Sequence, residues 1–145
     1  TDYYYLYTSY DGLNCLDTFS GYHMRLFRSK NIDGPYLDAA GRNAVRSSSS
    51  DAQYLKGIKI MGNYYLSSLS GANPASCAKS GYMSPGHNSA LIDEEGNAFL
   101  IYHTRFKAGF DEGAEWHQLR VHQQFFNEDG WPCTVGKAVG RDHSI

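Results

Sequence analysis

The sequence predicts an all-β domain, and three observations carry that prediction. Gly (15), Tyr (12) and Phe (7) are abundant while charged residues make up only 19% of the chain. Apolar runs of strand length recur between clusters of Gly, Pro, Asn and Asp. No segment sustains a 3.6-residue apolar period, so no helix longer than a turn is expected.

The first strand is expected over residues 3–9, where alternation puts Tyr3, Tyr5 and Tyr7 on one face and Tyr4, Leu6 and Thr8 on the other. Both faces are apolar enough to be covered. Residues 24–29 read as the second strand, followed by Asp33-Gly34-Pro35, in which Gly admits a positive φ and Pro fixes φ. The run Ser47-Ser48-Ser49-Ser50 reads as an exposed loop. Further strands are expected over 57–66, 89–93, 99–104 and 119–126, with Asp93-Glu94-Glu95-Gly96-Asn97 as a hairpin loop. Tyr36 and Trp131, each following a Gly turn, read as core residues.

With 145 residues and 41% hydrophobic content, the chain holds one modest core and a single domain, 1–145. Thirteen basic against 15 acidic side chains give a net charge of -2, which speaks against a nucleic-acid partner held by counterion release. The longest purely apolar run, Ala98-Phe99-Leu100-Ile101-Tyr102, falls far short of the ~20 residues of a membrane-crossing helix, and no membrane partner is expected. Cys15, Cys77 and Cys133 form no C-x-x-C pair and are expected to be ordinary buried or half-buried thiols.

A repeat sharpens the fold class. Tyr7 aligns with Tyr102 at an offset of 95, which also carries Met24-Arg25-Leu26-Phe27 onto Leu119-Arg120-Val121-His122. One residue of slippage then brings Asp33-Gly34 onto Asp129-Gly130. That offset is about two units of ~47 residues, close to a four-stranded propeller blade. A propeller ring needs at least ~4 blades to close, and this chain has residues for about three. The opening Thr1-Asp2-Tyr3-Tyr4-Tyr5, with no initiator Met and no signal segment, starts as if in mid-hairpin. A partial propeller, cut from something longer, is the expectation.

The densest polar constellation is Ser84-Pro85-Gly86-His87-Asn88-Ser89. Gly and Pro let the backbone turn tightly, and a His at the entry of an inner strand would face a propeller's central channel. For His87 a structural or surface role stands beside a site role, and its Pro-Gly-His-Asn-Ser setting raises the second. Asp111, Glu112 and Glu115, beside Trp116, form the one acidic cluster with an aromatic neighbour. Its Gly-rich surroundings read as a solvated loop in which acids stay ionised, whereas a raised carboxyl pKa needs burial or a close like charge. Glu94 and Glu95 sit at a hairpin tip and are weaker candidates still.

Four stretches resemble the endo-α-1,5-L-arabinanases of the family-43 glycoside hydrolases, which are five-bladed β-propellers. They are Tyr3-Tyr4-Tyr5-Leu6-Tyr7; Met24-Arg25-Leu26-Phe27-Arg28-Ser29-Lys30 with Asp33-Gly34-Pro35-Tyr36; Ser84-Pro85-Gly86-His87-Asn88-Ser89; and Tyr102-His103-Thr104-Arg105-Phe106. Arg120-Val121-His122-Gln123 and Asn127-Glu128-Asp129-Gly130-Trp131-Pro132 extend the match almost to the C-terminus. The resemblance is to the C-terminal part of such enzymes, so this chain would supply about three C-terminal blades.

That resemblance implies hydrolysis of α-1,5-linked L-arabinan with inversion, by an Asp base, a Glu acid and a second Asp that tunes the acid. Inversion holds acid and base carboxyls ~6.5–9.5 Å apart, with water between. In the family the Glu precedes the Tyr-rich strand and both Asp residues lie in earlier blades. No catalytic residue is therefore expected in this chain, which would be inactive alone and would need the missing N-terminal part of the propeller, possibly as a separate chain. The residue matching His87 holds a single axial Ca2+ in the family, and since calcium prefers six to eight oxygens, water would supply most of the shell.

Around it, Arg105 suits either a sugar subsite or structural pairing, and Asn88 would bond the metal's waters. Trp116, Phe106 and Phe110 would form a stacking platform or pack between blades. Partners implied are arabinan or arabino-oligosaccharides, and an extracellular or periplasmic location follows from the resemblance. A non-catalytic sugar-binding propeller, and an exo-acting arabinofuranosidase or β-xylosidase, are the alternatives.

Overall fold

Alternating apolar residues and Gly-containing turns resolve into seven strands in the computed structural model, which describes residues 2–10, 22–62, 82–106 and 117–134. They are β1 (Tyr4–Tyr10), β2 (His23–Ser29), β3 (Ile58–Met61), β4 (Tyr82–Ile92), β5 (Ala98–Phe106), β6 (His117–Phe126) and β7 (Pro132–Thr134). All pairings are antiparallel, in two sheets ordered β1-β2-β3 and β4-β5-β6-β7. Among the described residues the sole helical element is the 3-10 turn Gln53–Leu55, and no helix is long and apolar enough to cross a membrane.

The repeat maps β1 and β2 onto β5 and β6, the paired strands around which each sheet is built. Of the stretch between them, Ile58–Met61 joins β2 in the first sheet and Tyr82 opens β4, while 63–81 lie outside the described residues. The expected strand over 57–66 shortens accordingly to its described part. The strand expected at 89–93 begins earlier, at Tyr82, because the polar segment before it keeps pairing with β5 through two register shifts, at Met83/Gly86 and Gly86/Ser89.

The sheets pack directly on one another. Met24, Met61, Leu100 and Tyr102 form the shared core, with Tyr7 and Ile60 against it. The face of β1 carrying Tyr3, Tyr5 and Tyr7 meets the second sheet: the Tyr7 hydroxyl donates to Gln124 Oε1 at 2.7 Å, that of Tyr5 donates to the Gly130 carbonyl, and the Tyr5 and Phe126 rings lie 5.4 Å apart. Tyr4, on the other face, is half exposed. Trp131 is buried as expected; Tyr36 is only half-buried, its hydroxyl donating to the Ile32 carbonyl.

A long loop follows β2 and bridges back to its edge between Arg28 and Leu37. The buried carboxylate of Asp38 organises it, accepting from the backbone N–H groups of Ala40, Arg42 and Gly57, each at 2.9 Å, and from Arg42 Nε at 2.8 Å. Burial alone would raise the Asp38 pKa; the bonds from Arg42, Gly57 and Ala40 outweigh it and leave the pKa lowered. Gly57, at φ 83°, lies so close over Phe27 that a Cβ there would stand 2.8 Å from the ring. Ser47 to Ser50 are exposed within this loop, as expected.

Candidate functional site

The registers sort the strands into two ends. At one end Tyr10 pairs with His23, Gly86 with His103, and Arg105 with His117. The hairpin loop Asp93–Asn97 and the Gly130 turn lie at the opposite end. Most of the described imidazoles therefore gather at one end.

His87 owes its position to local backbone chemistry. Ser84 and His87 have φ of 50° and 52°, left-handed values that L-residues rarely adopt. These conformations, with the two bulges, push the His87 side chain into solvent while Ser84, Pro85 and Gly86 stay buried. Gly86 is required there because the Tyr22 ring lies against its Cα; a Cβ would overlap Tyr22 Cε1 and Cζ and stand 2.8 Å from the hydroxyl. The His87 backbone N–H then donates to Ser9 Oγ at 3.0 Å and to the Tyr22 hydroxyl at 3.1 Å. Ser9 in turn donates to Asn88 Oδ1 at 2.8 Å. The first sheet thus fixes the turn that presents His87.

Three imidazoles form a row, with ring centroids 5.7 Å apart for His87 and His103 and 4.9 Å for His103 and His117. Tyr22 flanks His103 at 6.4 Å. Arg105 is buried, 4% exposed, and its Nε donates to His117 Nε2 at 2.9 Å. Burial, then the nearby His117, His87 and Arg105 charges, depress the His103 pKa below its ordinary value of 6.5. The row therefore resists protonation at its centre. Chemically it offers exposed imidazoles and hydroxyls for hydrogen bonding or for ligating a cation.

Of the residues singled out from sequence, His87 and Asn88 come together here, and Arg105 takes part through His117. Trp116, Phe110, Asp111, Glu112 and Glu115 lie outside the described residues, as do Cys15, Cys77 and the side chain of Phe106. Cys133, expected to be buried or half-buried, is exposed, because alternation along β7 buries Pro132 and turns the next residue to the open face. Glu94 and Glu95 are exposed at the far end. Sequence reasoning missed His103, His117, Ser9 and Tyr22. The one signal was that His103 lies within Tyr102-His103-Thr104-Arg105-Phe106, a stretch that carries the family resemblance, without marking it as a site residue.

For the expected axial calcium, the donor chemistry is the test. Among the described residues no group of three or more His, Cys, Asp or Glu side chains could hold a metal ion. Around His87 the described donors are the His103 imidazole, with His117 beyond it, and the neutral oxygens of Ser9, Tyr22 and Asn88, whereas calcium takes six to eight oxygens. These residues fit one exposed imidazole ligand with water completing the shell; they do not form a calcium cage.

No family model matches the chain. The chain is 42% identical over 143 residues to the extracellular endo-alpha-(1->5)-L-arabinanase 2 of Bacillus subtilis strain 168, an alignment covering 93% of this chain and 28% of that protein. The crystal structure of an endo-1,5-alpha-L-arabinanase from Thermotoga petrophila RKU-1 superposes with a TM-score of 0.74 at 42% identity, covering 97% of this chain and 30% of that one. The family 43 glycoside hydrolase YxiA of Bacillus licheniformis superposes with a TM-score of 0.69 at 38% identity, covering 94% and 29%. The chain thus spans less than a third of the length of these proteins. It resembles the C-terminal part of the family-43 arabinanases, and its sheets are part of a five-bladed β-propeller.

Proposed function

We propose that this chain is part of an arabinan-hydrolysing propeller that cleaves α-1,5-linked L-arabinan with inversion, its catalytic carboxylates lying outside residues 1–145. One observation carries the proposal: the His87 turn, locked by Ser9 and Tyr22 of the neighbouring sheet, gathers His87, Asn88, His103 and Arg105-bound His117 at a single end of both sheets. Its likeness to named arabinanases supplies the substrate class.

In this reading His87 would hold a calcium ion, with water supplying most of its other ligands. Such a cation would favour ionised carboxylates nearby and help set the acid's pKa. Asn88, tied to Ser9, hydrogen-bonds waters around it; Arg105 serves the site by orienting His117. Trp116 and Phe106 remain candidates for stacking on the furanose rings. The relative's extracellular naming supports action outside the cell.

The test is the assembled propeller on linear arabinan, with products resolved by chromatography and anomeric configuration followed by NMR. Release of arabino-oligosaccharides with inverted configuration is expected; no hydrolysis overturns the proposal. His87→Ala is expected to remove the metal and most activity, and unchanged metal content in elemental analysis would defeat the role given to His87.

A further inference from the structure

At the His87 end of the first sheet, beyond Tyr10, a hollow of about 540 Å³ opens between β1, β2 and the loop over 46–53. Its wall includes Tyr10, His23, Arg46, Ser50, Asp51 and Gln53. The volume lies within the range of small-molecule pockets, about 300–1,000 Å³.

Both sides of the hollow are held rigid. On the sheet side, His23 stacks on Tyr10 with ring centroids 5.7 Å apart, the Arg25 guanidinium sits 5.0 Å over the Tyr10 ring, and Arg25 Nε donates to His23 Nε2 at 2.6 Å. On the loop side, Asp51 Oδ2 accepts from the Ser47 N–H and hydroxyl, each at 2.9 Å, and from Lys56 Nζ at 2.6 Å. Lys56 Nζ also donates to the Val45 carbonyl, and Arg25 donates to the Lys56 carbonyl, tying loop to sheet. Arg46 donates from Nε and Nη2 to the Ser48 and Ser49 carbonyls, two of the five donors a guanidinium has.

A half-buried aromatic body, a cationic fork with donors left over, a hydroxyl and a carboxamide on a preformed wall suit a neutral polyol ring. The ring would lie against Tyr10, with its hydroxyls meeting Arg46 and Gln53. A net anionic or purely apolar ligand suits the wall less well, since Asp51 and the serines line it too.

We infer that the hollow between Tyr10 and the loop over 46–53 is an outlying sugar subsite, taking an arabinofuranose unit of the chain whose nearer units lie at the His87 end. This rests on the arabinan reading above. Tyr10 follows Ser9, whose hydroxyl bonds the His87 turn; alternation turns the two side chains to opposite faces, so the hollow and the turn flank the same end of β1.

The experiment compares the assembled wild-type propeller with Arg46→Ala and Gln53→Ala on a ladder of linear arabino-oligosaccharides of increasing length. Both residues sit in a surface loop, and unchanged melting temperatures confirm folding. For ligands long enough to reach the hollow, KM is expected to rise about fivefold for each lost hydrogen bond, with kcat unchanged. Short ligands should behave as in wild type. Equal KM for wild type and both variants at every length overturns the subsite while leaving the arabinan reading intact. Wild type inert on the whole ladder overturns both. A uniform loss across all lengths, including the shortest, also overturns it, since that marks damage to the fold rather than an outlying contact.

Discussion

The Tyr7 hydroxyl donates to Gln124 Oε1 at 2.7 Å across the seam between the two sheets, and Gln124 Nε2 donates onward to Thr134 Oγ1 at 3.0 Å. Gln124 is buried, so the bond has no solvent replacement. Burial, then the neighbouring Tyr5, raise the Tyr7 pKa from 10.0 to about 12, the Gln124 bond opposing them.

Tyr7→Phe is therefore expected to destabilise by about 1–3 kcal/mol in urea denaturation, leaving a buried amide oxygen unbonded. The pH dependence has a definite sign. The folded state holds the Tyr7 proton more tightly than the unfolded chain, so the contribution is complete below pH 10 and lost as pH rises toward 12. The Phe variant should lack that part of the alkaline loss. An identical slope in both proteins between those limits would show that Tyr7 does not titrate as described.

Gly86→Ala tests how the His87 turn is built. The added Cβ collides with the Tyr22 ring, and ring and turn cannot both stay in place. A loss of about 1–3 kcal/mol is expected, the usual cost of overpacking a filled position. Histidine resonances of His87 and His103 should shift with it, since both lean on Tyr22. Removing the ring in the double variant with Tyr22→Ala should recover part of the loss. No recovery would mean that the clash lies elsewhere.

Arg28 joins the sheets at the other end. Its guanidinium lies 4.0 Å from the Tyr3 ring centroid and 3.9 Å from that of Trp131, and it donates to the Asp129 carbonyl. A planar cation fills this gap in a way that an ammonium does not. Arg28→Met, which keeps the bulk, is expected to cost about 1–2 kcal/mol, at ~0.5–1 kcal/mol for each partly exposed cation–π contact. Arg28→Lys should recover little of this, and full stability in the Lys variant would argue against a stacking role.

Strand positions were legible in the sequence because short runs rich in aromatic and aliphatic residues, bounded by turn residues, mark β1, β2, β5 and β6, and the same four strands carry the repeat. The start of β4 was not, since Ser84-Pro85-Gly86 has turn composition yet stays in the ladder through bulges and a positive φ at Ser84. His87 could be read because Gly, Pro and Asn around a His mark a special backbone. His103 and His117 could not, as each sits in an ordinary strand and reaches the site only through pairing, His103 opposite Gly86 and His117 opposite Arg105. Cross-strand register is a property of the assembled sheet, and one strand's sequence does not display it.

The imidazole row yields a prediction in the acid range. His103 is depressed below 6.5 by burial first and by His117, His87 and Arg105 after it, so the unfolded chain binds the proton more readily than the folded one. Its contribution to stability is thus present above pH 6.5 and is lost as pH falls through the depressed folded value. His103→Gln should flatten the stability profile below pH 6.5 while changing little above it, measured by urea denaturation in the presence of chelator. His117→Gln removes one of the charges that oppose protonation while keeping an acceptor for Arg105. NMR titration of His103 in that variant is expected to give a pKa closer to 6.5 than in wild type. A value that stays put would take His117 out of the electrostatics of the row and leave the depression to burial, His87 and Arg105.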